Sequence, residues 1–256
     1  MTRIKNAFSK GKAFIPFITV GDPDINTTIK AIKEMVKNGA DLIELGIPFS
    51  DPTAEGPVIQ NANIRALKGG ITTDQVFEMV KDLRKDIAIP LVLMTYANVV
   101  FSYNAKKFIG RCKEVGIDGL IIPDLPFEEK EEFLPLCHQY GIDLISLIAP
   151  TSDKRITMIA REAEGFIYLV SSLGVTGMRS EIRTDLAKII KLIKKTTDVP
   201  CAIGFGIANA NQAKEMAAIA DGVIVGSAIV KMLEEDGTNA PSRIGRFVRT
   251  MKDAIS

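Results

Sequence analysis

The chain has 256 residues, 46% hydrophobic and 25% charged, with a formal net charge of +1. That balance suits a soluble globular protein with a full core and gives no electrostatic reason to expect nucleic acid or a membrane surface. No apolar run approaches the ~20 residues that span a bilayer. The start lacks the features of a signal peptide, and three scattered cysteines with one histidine, His138, argue against a disulfide framework or a metal site. A cytoplasmic protein that needs no metal is expected.

Eight short apolar runs follow in order. "AFIPFITV" (13–20) leads into "VGDPD". "DLIEL" (41–45) ends near Glu44, and a segment rich in Gly and Pro (46–57) then carries Glu55 up to a short helix, "PVIQNANIRAL". "PLVLMT" (90–95), "DGLIIP" (118–123) and "DLISLIA" (143–149) come next. "GFIYLVS" (165–171) opens into "SSLGVTGMRS", with Gly174 and Gly177. "PCAIGF" (200–205) runs into "GFGIANANQ", and "DGVIV" (221–225) into "VGSAIVKML", where Gly226 and Ser227 open a helix. Segments of helical period separate the runs, for example "TTIKAIKEMVKNG" and "TDLAKIIKLIKKTT", whose lysines fit a solvated face.

Near-continuous apolar strands indicate a parallel sheet buried on both faces. Eight βα units in about 250 residues match a TIM (β/α)8 barrel. An open doubly wound sheet usually has fewer strands and a Gly-rich fingerprint after the first, which "VGDPD" lacks. The expectation is one barrel domain over 1–256, with short extra helices at the N-terminus, after strand 2 and after strand 8.

Barrel chemistry sits at the C-terminal strand ends. Alternation turns Ile43 and Leu45 outward and Leu42 and Glu44 inward, with Glu44 near the top. A desolvated carboxylate there is either an acid–base group or one half of an internal salt bridge. Glu55 either complements the dipole of the helix behind it or faces a ligand. The glycines after strands six, seven and eight either shape tight turns or bind phosphate on backbone amides, as loops seven and eight often do in such barrels.

"IELGIPFSDPTAEGPVIQNANIRAL", with "FIPFITVGDPD", "TYANVVF", "GVTG", "GFGI" and "GSAIVK", strongly resembles the tryptophan synthase alpha chain family, in order from about residue 14 to 233. The resemblance implies a TIM-barrel lyase that cleaves indole-3-glycerol phosphate to indole and glyceraldehyde 3-phosphate. It implies no cofactor in this chain and a partner beta chain carrying pyridoxal phosphate, expected as an alpha2–beta2 complex. Glu44 then aligns with the family's acid–base glutamate and Tyr168 with a tyrosine of the same pocket. Phe17, Tyr96, Thr176 and Phe205 fall on pocket positions, and Gly177, Gly206, Gly226 and Ser227 on the phosphate site. Asp124, in "IPDLPFEE", falls near the beta-chain contact.

Two positions depart from the family. Its motif reads "DPLADGP", with aspartate where this chain has Glu55, and many members carry arginine at Ser172. A stand-alone indole-releasing lyase, or a weakly catalytic subunit that activates a partner, are the competing expectations.

Overall fold

The apolar runs become strands in the expected order in a computed structural model, which describes residues 2–170, 179–204 and 206–256. The strands are β1 (Ala13–Thr19), β2 (Ile43–Gly46), β3 (Leu91–Met94), β4 (Gly119–Ile121), β5 (Asp143–Leu144), β6 (Ser146–Ile148), β7 (Ile167–Val170), β8 (Cys201–Gly204) and β9 (Gly222–Val225). All pairs are parallel, and the sheet runs β5-β4-β3-β2-β1-β9-β8-β7-β6. β5 and β6 share one barrel position, divided at Ile145. The first half pairs with β4 and the second with β7, so eight positions close into a TIM barrel.

Helices α1 (Arg3–Ala7) and α2 (Ile25–Lys37) flank β1. α3 (Pro57–Lys68) and α4 (Thr73–Leu83) follow β2; α5 (Ala97–Tyr103) and α6 (Ala105–Val115) follow β3. A 3-10 turn (Phe127–Glu132) and α7 (Leu134–Tyr140) follow β4, and α8 (Asp153–Arg161) follows β6. α9 (Arg179–Thr196) and α10 (Ala210–Ala217) follow β7 and β8. α11 (Ser227–Asp236) and α12 (Ala240–Ile255) complete the chain after β9. The extra helices at the N-terminus, after strand 2 and after strand 8 are α1, α3 and α11. α5 is a further one that the sequence reading did not separate.

Alternation along the strands divides the core in two. Phe14, Ile18, Ile43, Leu45 and Leu93 pack outward against the helices. Ala13, Ile15, Leu42, Val92, Ile121 and Phe166 fill the barrel interior, and Ile4 of α1 closes its lower end. Burial of this apolar surface is the main driving force for closure, at about 25 cal/mol per Å². An interior packed solid below leaves chemistry only the upper mouth. No helix among the described residues is long and apolar enough to cross a membrane.

Candidate active site

Glu44 sits in β2 opposite Phe17 of β1, two residues above Leu42 on the inward face. It is 1% exposed, and neither carboxylate oxygen has a hydrogen-bond partner. Among the described residues no cation pairs with it, so the internal salt bridge finds no support there. Burial, and then the charge of Glu55, push its pKa up to about 8. Tyr168 of β7 faces the same space. Its phenol is held well above its ordinary value by burial and then by Glu44. The ring lies across Gly204, where any Cβ would overlap it.

Glu55 approaches from the loop after β2. Its backbone carbonyl accepts a bond from Gln60 Nε2 at 2.7 Å, and its carboxylate accepts one from Asn63 Nδ2 at 2.7 Å. The Tyr96 hydroxyl lies near enough to the same carboxylate to favour its charged form. Desolvation raises the Glu55 pKa, while Asn63 and Tyr96 pull it back toward the charged form. Gly56, not Glu55, is the N-cap of α3, and the Glu55 charge is felt at Glu44. The arrangement therefore does more than complement a helix dipole.

Tyr96 anchors the loop as well as the carboxylate. Its hydroxyl accepts from the Ala54 amide at 3.2 Å, and its ring stacks on Phe49 at 5.1 Å. Phe17, 3% exposed, packs against Ala62 of α3 and Val230 of α11. A Cβ at Gly46 would stand 2.6 Å from the Phe17 ring, so only glycine fits there. Asn63 was missed by the sequence reading. The available signal was a polar residue inside the buried stripe Ala62, Asn63, Ala66 of α3.

The described part of the phosphate set lies at the same strand ends. Gly206, after β8, has φ +78° and, among the described residues, open space where a side chain would project. Gly226 is the N-cap of α11 without a side-chain cap, and Ser227 is the first helical residue. First-turn amides have no intrahelical acceptor, which suits an anion. Thr176, Gly177, Phe205, Ser172 and Gly174 lie outside the described residues. Away from the mouth, His138 pairs with Glu164 at 3.1 Å. The three cysteines are buried and free. No cluster among the described residues has the make-up of a metal site.

A solid parallel barrel with facing, partly desolvated carboxylates at its mouth defines a TIM-barrel enzyme of the acid–base type. The family model for the tryptophan synthase alpha chain matches residues 4–256. The alpha chain of Lacticaseibacillus casei is 48% identical over 255 residues, covering 100% of this chain and 96% of that protein. Tryptophan synthase subunit alpha of Legionella pneumophila superposes with a TM-score of 0.90 at 37% identity, over 100% of this chain and 98% of that one. A chain from the Pyrococcus furiosus tryptophan synthase complex gives 0.85 at 34%, over 95% and 99%. This chain belongs to the tryptophan synthase alpha chain family.

Proposed function

We propose that Glu44 and Glu55 run the alpha reaction of tryptophan synthase in this chain as a divided pair. The reaction is a carbon–carbon lyase step of tryptophan biosynthesis, cleaving indole-3-glycerol phosphate to indole and glyceraldehyde 3-phosphate. It needs no cofactor here; pyridoxal phosphate belongs to the beta chain that receives the indole. The observation that carries the reading is the buried, unpartnered Glu44 carboxyl facing Glu55 and Tyr168.

With its pKa near 8, Glu44 enters the cycle protonated at neutral pH. It gives that proton to indole C3, forming an indolenine with positive charge at nitrogen. Glu55, whose carboxylate is held by Asn63, accepts the indole N–H and offsets that charge. The C3–C1′ electron pair then returns to the ring. C1′ becomes the aldehyde carbon as its hydroxyl proton passes to the Glu44 carboxylate, which resets the acid. Two carboxyls in different surroundings, one buried without a partner and one held by Asn63, divide the roles. Phe17 and Tyr96 wall the indole, with Tyr168 beside Glu44. Gly206, Gly226 and Ser227 hold the phosphate.

Ile64 and Leu67 of α3 and Phe101 of α5 are the large apolar side chains left exposed among the described residues. Both helices follow the mouth loops, and the likeness to chains solved in tryptophan synthase complexes favours a partnered subunit over a stand-alone lyase. Glu55, held at its carbonyl by Gln60 and at its carboxylate by Asn63, favours turnover over a weakly catalytic subunit. We read 1–256 as one domain acting in the cytoplasm. The test is indole release from indole-3-glycerol phosphate, with and without a beta chain. No release in either condition would overturn the reading.

A further inference from the structure

Behind the mouth lies a buried charge that the reaction does not use. Asp22, in the loop after β1, is completely buried, and both its oxygens are held by Arg65 of α3, from Nε and Nη2, each at 2.8 Å. The remaining arm, Nη1, reaches Glu234 of α11 at 3.0 Å. Arg65 follows Asn63 by two residues on the helix that grips Glu55 twice, by its carbonyl from Gln60 and by its carboxylate from Asn63. The chain leaving α3 also packs on this loop, since Ile71 lies 3.1 Å from where a Cβ of Gly21 would stand.

We propose that Arg65 is a positioning residue for the lyase reaction: by gripping Asp22 it sets the seat of α3 against β1, and α3 in turn fixes where Glu55 meets the indole. The geometry needs arginine. A planar fork satisfies both oxygens of a buried carboxylate at once, and a lysine in its place supplies a single point charge. A ~1 Å displacement of α3 would be felt at Glu55, where placements of that size change rates by about 100-fold. The proposal rests on the reading of Glu55 given above.

The experiment compares Arg65→Lys, Asp22→Asn, Glu234→Gln and Glu55→Gln in the complex with a beta chain. Arg65→Lys and Asp22→Asn should fold, lose at least ~10-fold in kcat, and keep KM within ~3-fold. Their kcat/KM profiles should also lose activity at lower pH on the alkaline side. Among the described residues Glu44 is faced by Glu55 from the β2 loop and by Tyr168 from β7, and a displaced Glu55 raises Glu44 less. Glu234→Gln should stay within ~2-fold, because that arm is solvent-exposed. Parental kcat and an unmoved pH limb in folded Arg65→Lys and Asp22→Asn overturn the proposal, and so does loss of fold in both, which assigns the clamp to stability alone. A slow Glu55→Gln beside a normal Arg65→Lys sinks the clamp and leaves Glu55 in place. A normal Glu55→Gln removes the reading of Glu55 and this proposal with it.

Discussion

Glu44 carries a proton at pH 7 only because the fold denies its anion water and a counter-ion. Its folded pKa, about 8, lies above the ordinary glutamate value of 4.5. Between those values the folded chain holds a proton that the unfolded chain has released, so stability falls as pH rises through this window. Glu44→Gln should remove that loss. At pH 8 the variant should be more stable than the parent by at least ~1 kcal/mol, or about 2–4 °C in Tm, while its cleavage rate falls at least ~100-fold. A thermal scan at pH 5 and pH 8, beside the rate, checks both halves; a variant that is active, or that gains no stability at pH 8, contradicts the assignment. Glu55 separates charge from length. Glu55→Gln should be much slower than the parent, whereas Glu55→Asp, the family residue, should equal or exceed it. Equal rates in all three would leave Glu55 a loop residue. Glu44 was legible because Leu42 and Glu44 share one parity and Ile43 and Leu45 the other. Asn63 and Arg65 were not, because their partners, Glu55 and Asp22, lie on other elements and sequence spacing does not reveal such contacts.

Among the elements, the loop between β8 and α10 tests the phosphate site most cleanly. Gly206 has a left-handed φ of +78°, a conformation that Asn and Asp tolerate better than other side chains. Gly206→Asn and Gly206→Asp have nearly the same shape and differ in charge. Glycerol phosphate should bind the Asp variant at least ~10-fold more weakly than the Asn variant, as a carboxylate meets the dianion. Titration calorimetry would show equal affinities if the phosphate rests elsewhere. The strands were read nearly to their ends because an apolar run marks a strand buried on both faces. α5 was not read: its seven residues, "ANVVFSY", are too short for helical period to stand out, and its valines and phenylalanine suit a strand equally well. The division at Ile145 was invisible too, since "DLISLIA" is one uninterrupted pattern and the change of neighbour is set by the closing geometry of the ring.

For the whole molecule, the partner face is the consequence to test. Asp124, exposed after β4, accepts a bond from the Ala97 amide at 3.0 Å, so it caps the start of the helix that displays Phe101. A beta chain seated there would order the mouth loops and exclude water from the two carboxyls. Cleavage should accelerate at least ~10-fold, about 1.4 kcal/mol of barrier, when a cognate beta chain is added. Asp124→Ala should blunt that response and leave the rate of the isolated chain nearly unchanged; an undiminished response would place the contact elsewhere. The split at Ile145 has a consequence of another kind. Among the described residues β5 is fastened only to β4, and β6 only to β7. The ring resembles a rope whose ends overlap by one fibre: at that point a single covalent thread carries the load from one semicircle to the other. When the cylinder breathes, it should part along this splice first, and the amides of 143–148 should take up deuterium ahead of those in β1, which is bonded to a full neighbour on each side.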